Sequence, residues 1–210
     1  MIELIMVIIV IGILAALAIP RIERDYRQEA ADNILSAIRH TQHLALMDNK
    51  HMDGNPMWQQ RFWRIVFSQC SSTGHFYMVG SDNDMESSNN ANFDQDEADI
   101  DPITNKPLFY KCSGMAKKDA SPSIFIGEKY GVKTVASSGG CAGSGGKHIA
   151  FDHLGRPHYG TAFSQSITPD YSSYMSTACT FTFTMEKGDP FTIQIVPETG
   201  YAQIINQDGS

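Results

Sequence analysis

Apolar positions are spread unevenly along this 210-residue chain. Leu4–Ile19 holds sixteen residues with no charged or strongly polar side chain. With Met1 and Ile2 the stretch approaches the roughly 17–25 residues that span a bilayer, and it predicts a transmembrane or lipid-inserted helix. A cleaved secretory signal fits poorly. No basic segment precedes the run, and Pro20-Arg21-Ile22-Glu23 is not a small-residue cleavage site. Glu3 is the charged exception. Two readings are open for it: a carboxylate among lipid headgroups, or one with a specific cationic partner.

Beyond Pro20 the pattern becomes periodic. Ile22, Tyr26, Ala30, Ile34, Ile38, Thr41 and Ala45 recur at steps of three and four, the stripe of an amphipathic helix. Arg21, Arg24, Asp25, Gln28, Asp32 and Arg39 take the other side. The helix should end near Asn49, ahead of the turn-forming Asp53-Gly54-Asn55-Pro56. Pro20 predicts a kink within it.

From Trp58 onward the pattern is that of strands and turns. Candidate strands cover 61–70, 75–81, 107–112, 123–135, 148–160 and 179–205, the last holding two or three. Thr180–Met185 alternates with period two, which puts Phe181 and Phe183 on one face. Phe191, Ile193 and Ile195 should line the core side, with turns at 186–189 and 198–200. No helical crossover separates the strands, so the sheet is antiparallel. The predicted class is α+β, a long N-terminal helix packed on an antiparallel β head. Its transmembrane half covers 1–20, its amphipathic half 21–52, and the head 53–210. Residues 71–120 read as an insertion between strands.

Charge sharpens this picture. Sixteen Lys+Arg against 23 Asp+Glu give a net charge of −7. Eight carboxylates and no Lys or Arg lie between Gly80 and Asp101, so the rest of the chain is nearly neutral. This balance argues against nucleic acid as a partner. Asp94, Asp96, Asp99 and Asp101 could offer oxygens to calcium. The EF-hand spacing and its turn glycine are absent, so a solvated loop is the preferred reading and no other cofactor or metal is expected. His40 and His43 share a helix face, with His51 shortly after, but no zinc spacing is completed.

Residues Ser137–Lys147 suggest a phosphate loop, and the match fails. Cys141 takes the first glycine position and His148 the hydroxyl position. No Gly-x-Ser-x-Gly elbow is present. No catalytic residues are assigned and an enzyme is not expected.

Met1–Pro20 resembles the N-terminal segment of type IV pilins and type II secretion pseudopilins, with apolar stretch, Glu3 and Pro20 at the family spacing. Precursors in that family carry a short basic leader ending in Gly, then Phe and usually Thr. These residues are absent ahead of Met1, so a late start or a trimmed chain is expected. Such a leader would also resolve a conflict in the topology signals. Arg21, Arg24 and Arg27 alone would hold the head in the cytoplasm, whereas the cysteines suggest the opposite side.

The resemblance implies that Glu3 faces the methylated N-terminal amine of a neighbouring subunit during assembly. The implied partners are other pilin or pseudopilin subunits through the N-terminal helix, an inner-membrane assembly platform, and the prepilin peptidase acting on the precursor. The tail looks like the GspH/FimT branch of minor pilins. Phe151-Asp152-His153-Leu154-Gly155-Arg156-Pro157 follows its Phe-Asp-x-x-Gly-x-Pro turn, and Pro197-Glu198-Thr199-Gly200 its closing Pro-x-Thr-Gly turn.

The implied function is that of a structural minor pilin or pseudopilin subunit of a type II secretion pseudopilus or type IV pilus. Its place would be single-pass in the inner membrane with a periplasmic head, and at the cell surface once assembled. The alternatives are a membrane-anchored DNA-uptake pilin and a membrane-tethered periplasmic enzyme. Some FimT-like pilins bind DNA through a basic C-terminal segment, and Pro197–Ser210 contains no Lys or Arg.

Four widely spaced cysteines, Cys70, Cys112, Cys141 and Cys179, show no close zinc-type pairs. Disulfides fit an oxidising compartment. Cys70–Cys112 with Cys141–Cys179 is preferred among the three connectivities. Each bridge then joins the flank of a strand to a later strand, and the first closes the acidic insertion.

Overall fold

The computed structural model describes residues 2–51, 54–83, 93–142, 147–160 and 167–206, with residue 2 and residues 15–25 described by their backbone only. Helix α1 runs Ile2–Met47. Strands β1 (Trp63–Cys70) and β2 (Gly74–Gly80) form a hairpin. The two-residue strands β3 (Ile100–Asp101) and β4 (Lys106–Pro107) pair with each other. A short helix α2 (Ile126–Tyr130) leads into β5 (Val132–Gly139). Then come β6 (His148–Phe151), β7 (Pro157–Tyr159), β8 (Cys179–Met185), β9 (Phe191–Ile195) and β10 (Ala202–Ile205).

Among the described residues the strands make three antiparallel sheets: β2-β1-β6-β7, β10-β9-β8-β5 and the β3-β4 ribbon. The two large sheets face each other across one core. Phe67 of β1 lies 5.1 Å from Phe181 and 5.5 Å from Phe183 of β8, ring to ring. The period-two pattern of β8 and β9 is realised: Phe181, Phe183, Phe191, Ile193 and Ile195 are all buried. The second half of α1 closes the core with Ala30, Ala31, Ile34, Ile38, Thr41 and Ala45. The alanines let the helix approach closely, while the two isoleucines fill the space between sheets. Tyr26, placed on the same stripe by periodicity, is exposed instead.

The expectation of a transmembrane first half is corrected. Among the described residues, no helix is long and apolar enough to cross a membrane. The physical reason is length. The sixteen apolar residues of Leu4–Ile19 rise about 24 Å at 1.5 Å per residue, short of the roughly 30 Å of a hydrocarbon core. Beyond them Arg21, Glu23, Arg24 and Asp25 follow at once. The single-pass inner-membrane placement falls with that span. Pro20 lies within α1, and the kink expected there falls outside the described side chains.

Two further expectations are adjusted. Residues 123–135 are not one strand. Ser121 accepts a hydrogen bond from the Ser123 amide and starts a turn of 3₁₀ helix over Pro122–Ile124. α2 then ends on Gly131, whose φ of 78° is the left-handed conformation that terminates a helix. Within 71–120, β2 belongs to the main sheet, and residues 107–112 contribute only the end of β4.

Candidate functional site

Leu4–Leu14 is the first feature that the fold leaves unsatisfied. Its ten large apolar side chains are each 53–67% exposed, and Gly12 has no neighbouring atom within 4 Å. Glu3 at its head is exposed as well. An exposed apolar run of this extent marks an interaction site. The lower half of the same helix is buried in the head, so α1 carries a free segment on a fixed base.

That base is held by a junction the sequence hints at only through its turns. Asp152 Oδ1 accepts from the amides of Leu154 and Arg156, both at 2.9 Å. Its Oδ2 accepts from Arg156 Nε at 2.7 Å, and Arg156 Nη2 lies at the same distance. The second turn, around Gly200, rests on the first. A Cβ at Gly200 would stand 2.3 Å from the Gly155 carbonyl oxygen, so only glycine permits this approach. Gln42 of α1 ties both turns to the helix, donating from Nε2 to the carbonyls of Gly155 (2.9 Å) and Thr199 (2.7 Å). Arg39, one turn earlier, donates to the Ala202 carbonyl from Nη2 at 2.9 Å.

Burial by itself would raise the Asp152 pKa. The approach of His158 and the bonds from Arg156 reverse this and hold it at about 2. His158 Nε2 stands 3.5 Å from Asp152 Oδ2, and its Nδ1 lies 2.9 Å from Ser173 Oγ. Serine, histidine and aspartate thus approach one another in series, but the carboxylate is committed to Arg156 and to two amides. The arrangement therefore reads as a structural clamp and not a nucleophile with its base. A cavity of about 130 Å³ adjoins it, lined by His51, Trp58, Phe62, Arg156, His158 and Tyr171 among others.

The four aspartates considered for calcium are not gathered. Asp94 caps the short 3₁₀ turn Gln95–Glu97, which contains Asp96. Asp99 Oδ2 accepts from His40 Nε2 at 2.7 Å. Asp101 accepts from the Ile103 amide, Thr104 and Ser121. Among the described residues no group of three or more His, Cys, Asp or Glu is placed to hold a metal. His40 therefore belongs to an ion pair, His43 is exposed, and His51 stacks edge-on against Trp58 at 4.6 Å. Residues 143–146 of the glycine-rich loop lie outside the described residues.

The cysteines form Cys70–Cys112 and Cys141–Cys179, with Cα–Cα distances of 5.6 and 5.1 Å. The first ties the end of β1 to the loop after β4. The second ties the turn after β5 to the start of β8, where Gly139 pairs with Cys179.

Sequence reasoning missed two charged centres. The Asp152–Arg156 clamp is signalled by Asp-x-x-Gly-Arg-Pro, a turn pattern that shows no burial. Arg64 is fully buried, with the carboxylates of Asp82 and Glu97 in its field. Its place in β1, among four consecutive buried residues, carries no sign of partners lying eighteen and more positions downstream.

No protein-family model, curated protein or solved structure matches this chain.

Proposed function

We propose that this chain is a structural subunit of a pilin- or pseudopilin-type filament, a minor subunit of the GspH/FimT kind, assembling through the N-terminal half of α1. The observation that carries this reading is the exposure of Leu4–Leu14 on every side of the helix. A groove on a partner would cover one stripe of such a helix. Covering all sides takes several neighbours, and a helix apolar all round belongs inside a bundle. Copies of the same segment supply such a bundle with no further partner. Burial of each Val, Leu or Ile side chain contributes roughly 1.5–3 kcal/mol, which offsets the entropy of ordering the copies.

The head supports this reading. Gln42 and Arg39 tie the base of α1 to the head, and two disulfides cross-link the head itself, so the exposed segment leaves a braced body.

Photo-crosslinking in the full chain tests the proposal. A benzophenone amino acid at Ile8 should give a light-dependent ladder of multiples of the 23.2 kDa chain. Ile11→Asp in the same chain should abolish the ladder and leave the melting of the head unchanged. Absence of self-crosslinks at Ile8 overturns the proposal, as does a ladder indifferent to Ile11→Asp.

A further inference from the structure

The two disulfides differ in exposure. Cys141 and Cys179 are both 0% exposed and Cys70 is 5% exposed, whereas Cys112 lies in the open. Cys112 sits in the loop that follows β4, flanked by exposed Lys111 and Ser113, with its Sγ 3.7 Å from the Gln69 carbonyl. Residues 111–119 hold three lysines and one aspartate, and Lys117 pairs with Glu128. An incoming thiolate therefore reaches Cys112 Sγ from solvent, through a region of positive charge. Cys70 Sγ is shielded behind it.

We propose that Cys112 is a thiol–disulfide exchange site for low-molecular-weight thiols, and that Cys141–Cys179 is a permanent structural bridge. The attacking thiolate forms a new S–S bond to Cys112 Sγ. The Cys70–Cys112 bond breaks, and its electron pair leaves on Cys70 as a thiolate. A second thiolate then attacks the outer sulfur of the mixed disulfide. This releases the small-molecule disulfide and leaves Cys112 as a thiolate. Two thiols have then supplied the two electrons that reduce the bridge. Exchange is governed by which sulfur can be reached, and in this fold that is the one on Cys112.

Exchange frees a strap and leaves the body intact. The loop lies beside an open groove of about 340 Å³ whose lining includes Gln69, Thr73, Gly74, His75 and Lys133. Its neighbours remain pinned without the bridge. Leu108 donates to the Asp99 carbonyl at 2.7 Å, and the Tyr110 ring meets Phe125 at 5.0 Å and Phe76 at 5.4 Å. The inference is independent of the filament reading, since it concerns the head alone.

The test uses the full chain, folded and oxidised, incubated with reduced glutathione well below its melting temperature. Samples are quenched in acid, alkylated and mapped by mass spectrometry over time. Cys70 and Cys112 should become alkylatable at least roughly tenfold faster than Cys141 and Cys179. The first glutathione adduct should sit on Cys112. Any of three results overturns the proposal: both bridges opening together, a first adduct on Cys70, or no exchange until the fold melts.

Discussion

At the scale of single residues, the charges carry the least visible part of the design. Among the described residues Arg64 is the largest side chain with under 2% exposure. Its Nε donates to the Phe62 carbonyl at 3.3 Å, and its Nη2 to that of Gln60. Burial lowers its pKa to about 10 against the opposing pull of Asp82 and Glu97, so it stays charged at neutral pH. Removing one partner of such a buried set strands the others. Arg64→Ala should therefore cost about 3–5 kcal/mol in chemical denaturation. Arg64→Met combined with Asp82→Asn should recover part of that loss, because the Asp82 charge is removed together with its partner and Glu97 keeps the amides of Asn83 and Asp94. The sequence places Arg64 on a strand but is silent on its burial, because its counter-charges arrive from the acidic insertion through the tertiary fold.

The acid response follows from two histidines and one aspartate whose pKa values are depressed. Burial and the field of Arg64 push His148 down to about 4, and burial also lowers His75. Their unfolded forms take up protons first, so stability should fall as pH drops from about 6.5 towards 4. His40 acts in the opposite sense. Its bond to Asp99 raises its pKa, a contribution present below pH 6.5 and lost as pH rises through the folded value. Asp152 adds a second acid step. Its stabilising contribution is present above about pH 4 and is lost down to about pH 2. Melting curves of the parent, His148→Asn and Asp152→Asn across pH 2–8 separate the two. The first variant should flatten the upper slope. The second should flatten the lower slope and lose about 2 kcal/mol at neutral pH. A His148→Asn variant whose slope between pH 7 and pH 4 equals the parent's would contradict the His148 assignment.

At the scale of elements, what the sequence makes legible depends on how local the determinant is. The period-two run of β8 and the three-four stripe of α1 are local; β8 meets the core as its pattern predicts, and the α1 stripe does so from Ala30 to Ala45, with Tyr26 left exposed. The turns at 186–189 and 198–200 are local too, announced by Lys-Gly-Asp and Pro-Glu-Thr-Gly. Residues 123–135 depart from a single strand because Ser121 and Gly131, two single-residue signals, convert an apolar run into turn, helix and strand. The transmembrane expectation went wrong through length, since an apolar count of sixteen stops short of a spanning one.

Packing makes the elements unequal. Ile38 is 0% exposed in the centre of the α1 stripe, and Ile38→Ala should cost about 2–5 kcal/mol. The bridges can be ranked in the same way. Their sequence separations of 42 and 38 residues give nearly equal chain-entropy terms of about 4 kcal/mol. Any large difference between them therefore comes from packing. The paired serine variant of Cys141 and Cys179 leaves two hydroxyls in a closed core. That variant should lose more stability in urea than the paired variant of Cys70 and Cys112. Equal losses would show that the buried sulfurs contribute no more than loop closure.

At the scale of the whole molecule, α1 joins two regions with separate thermodynamic tasks. Residues 30–45 contribute to head stability, and Leu4–Leu14 contributes nothing to it while the chain is alone. Substitutions in the two halves should therefore dissociate. Ile38→Ala should lower the melting temperature and, below melting, keep the Ile8 crosslink ladder. Glu3→Gln should do the reverse, moving head stability by no more than about 0.5 kcal/mol, as an exposed site allows. Its effect on assembly is diagnostic in sign. In a bundle of identical apolar helices, each copy brings one carboxylate into a low-dielectric setting. If Glu3 met only other carboxylates, neutralising it would strengthen assembly by relieving like-charge repulsion. If a cationic group of a neighbour faces it, neutralising it strands that cation and assembly weakens. The filament reading requires the second outcome, so the ladder yield of Glu3→Gln should fall at fixed concentration. A yield that rises would remove the paired role of Glu3 and leave the apolar segment as the sole basis of self-association.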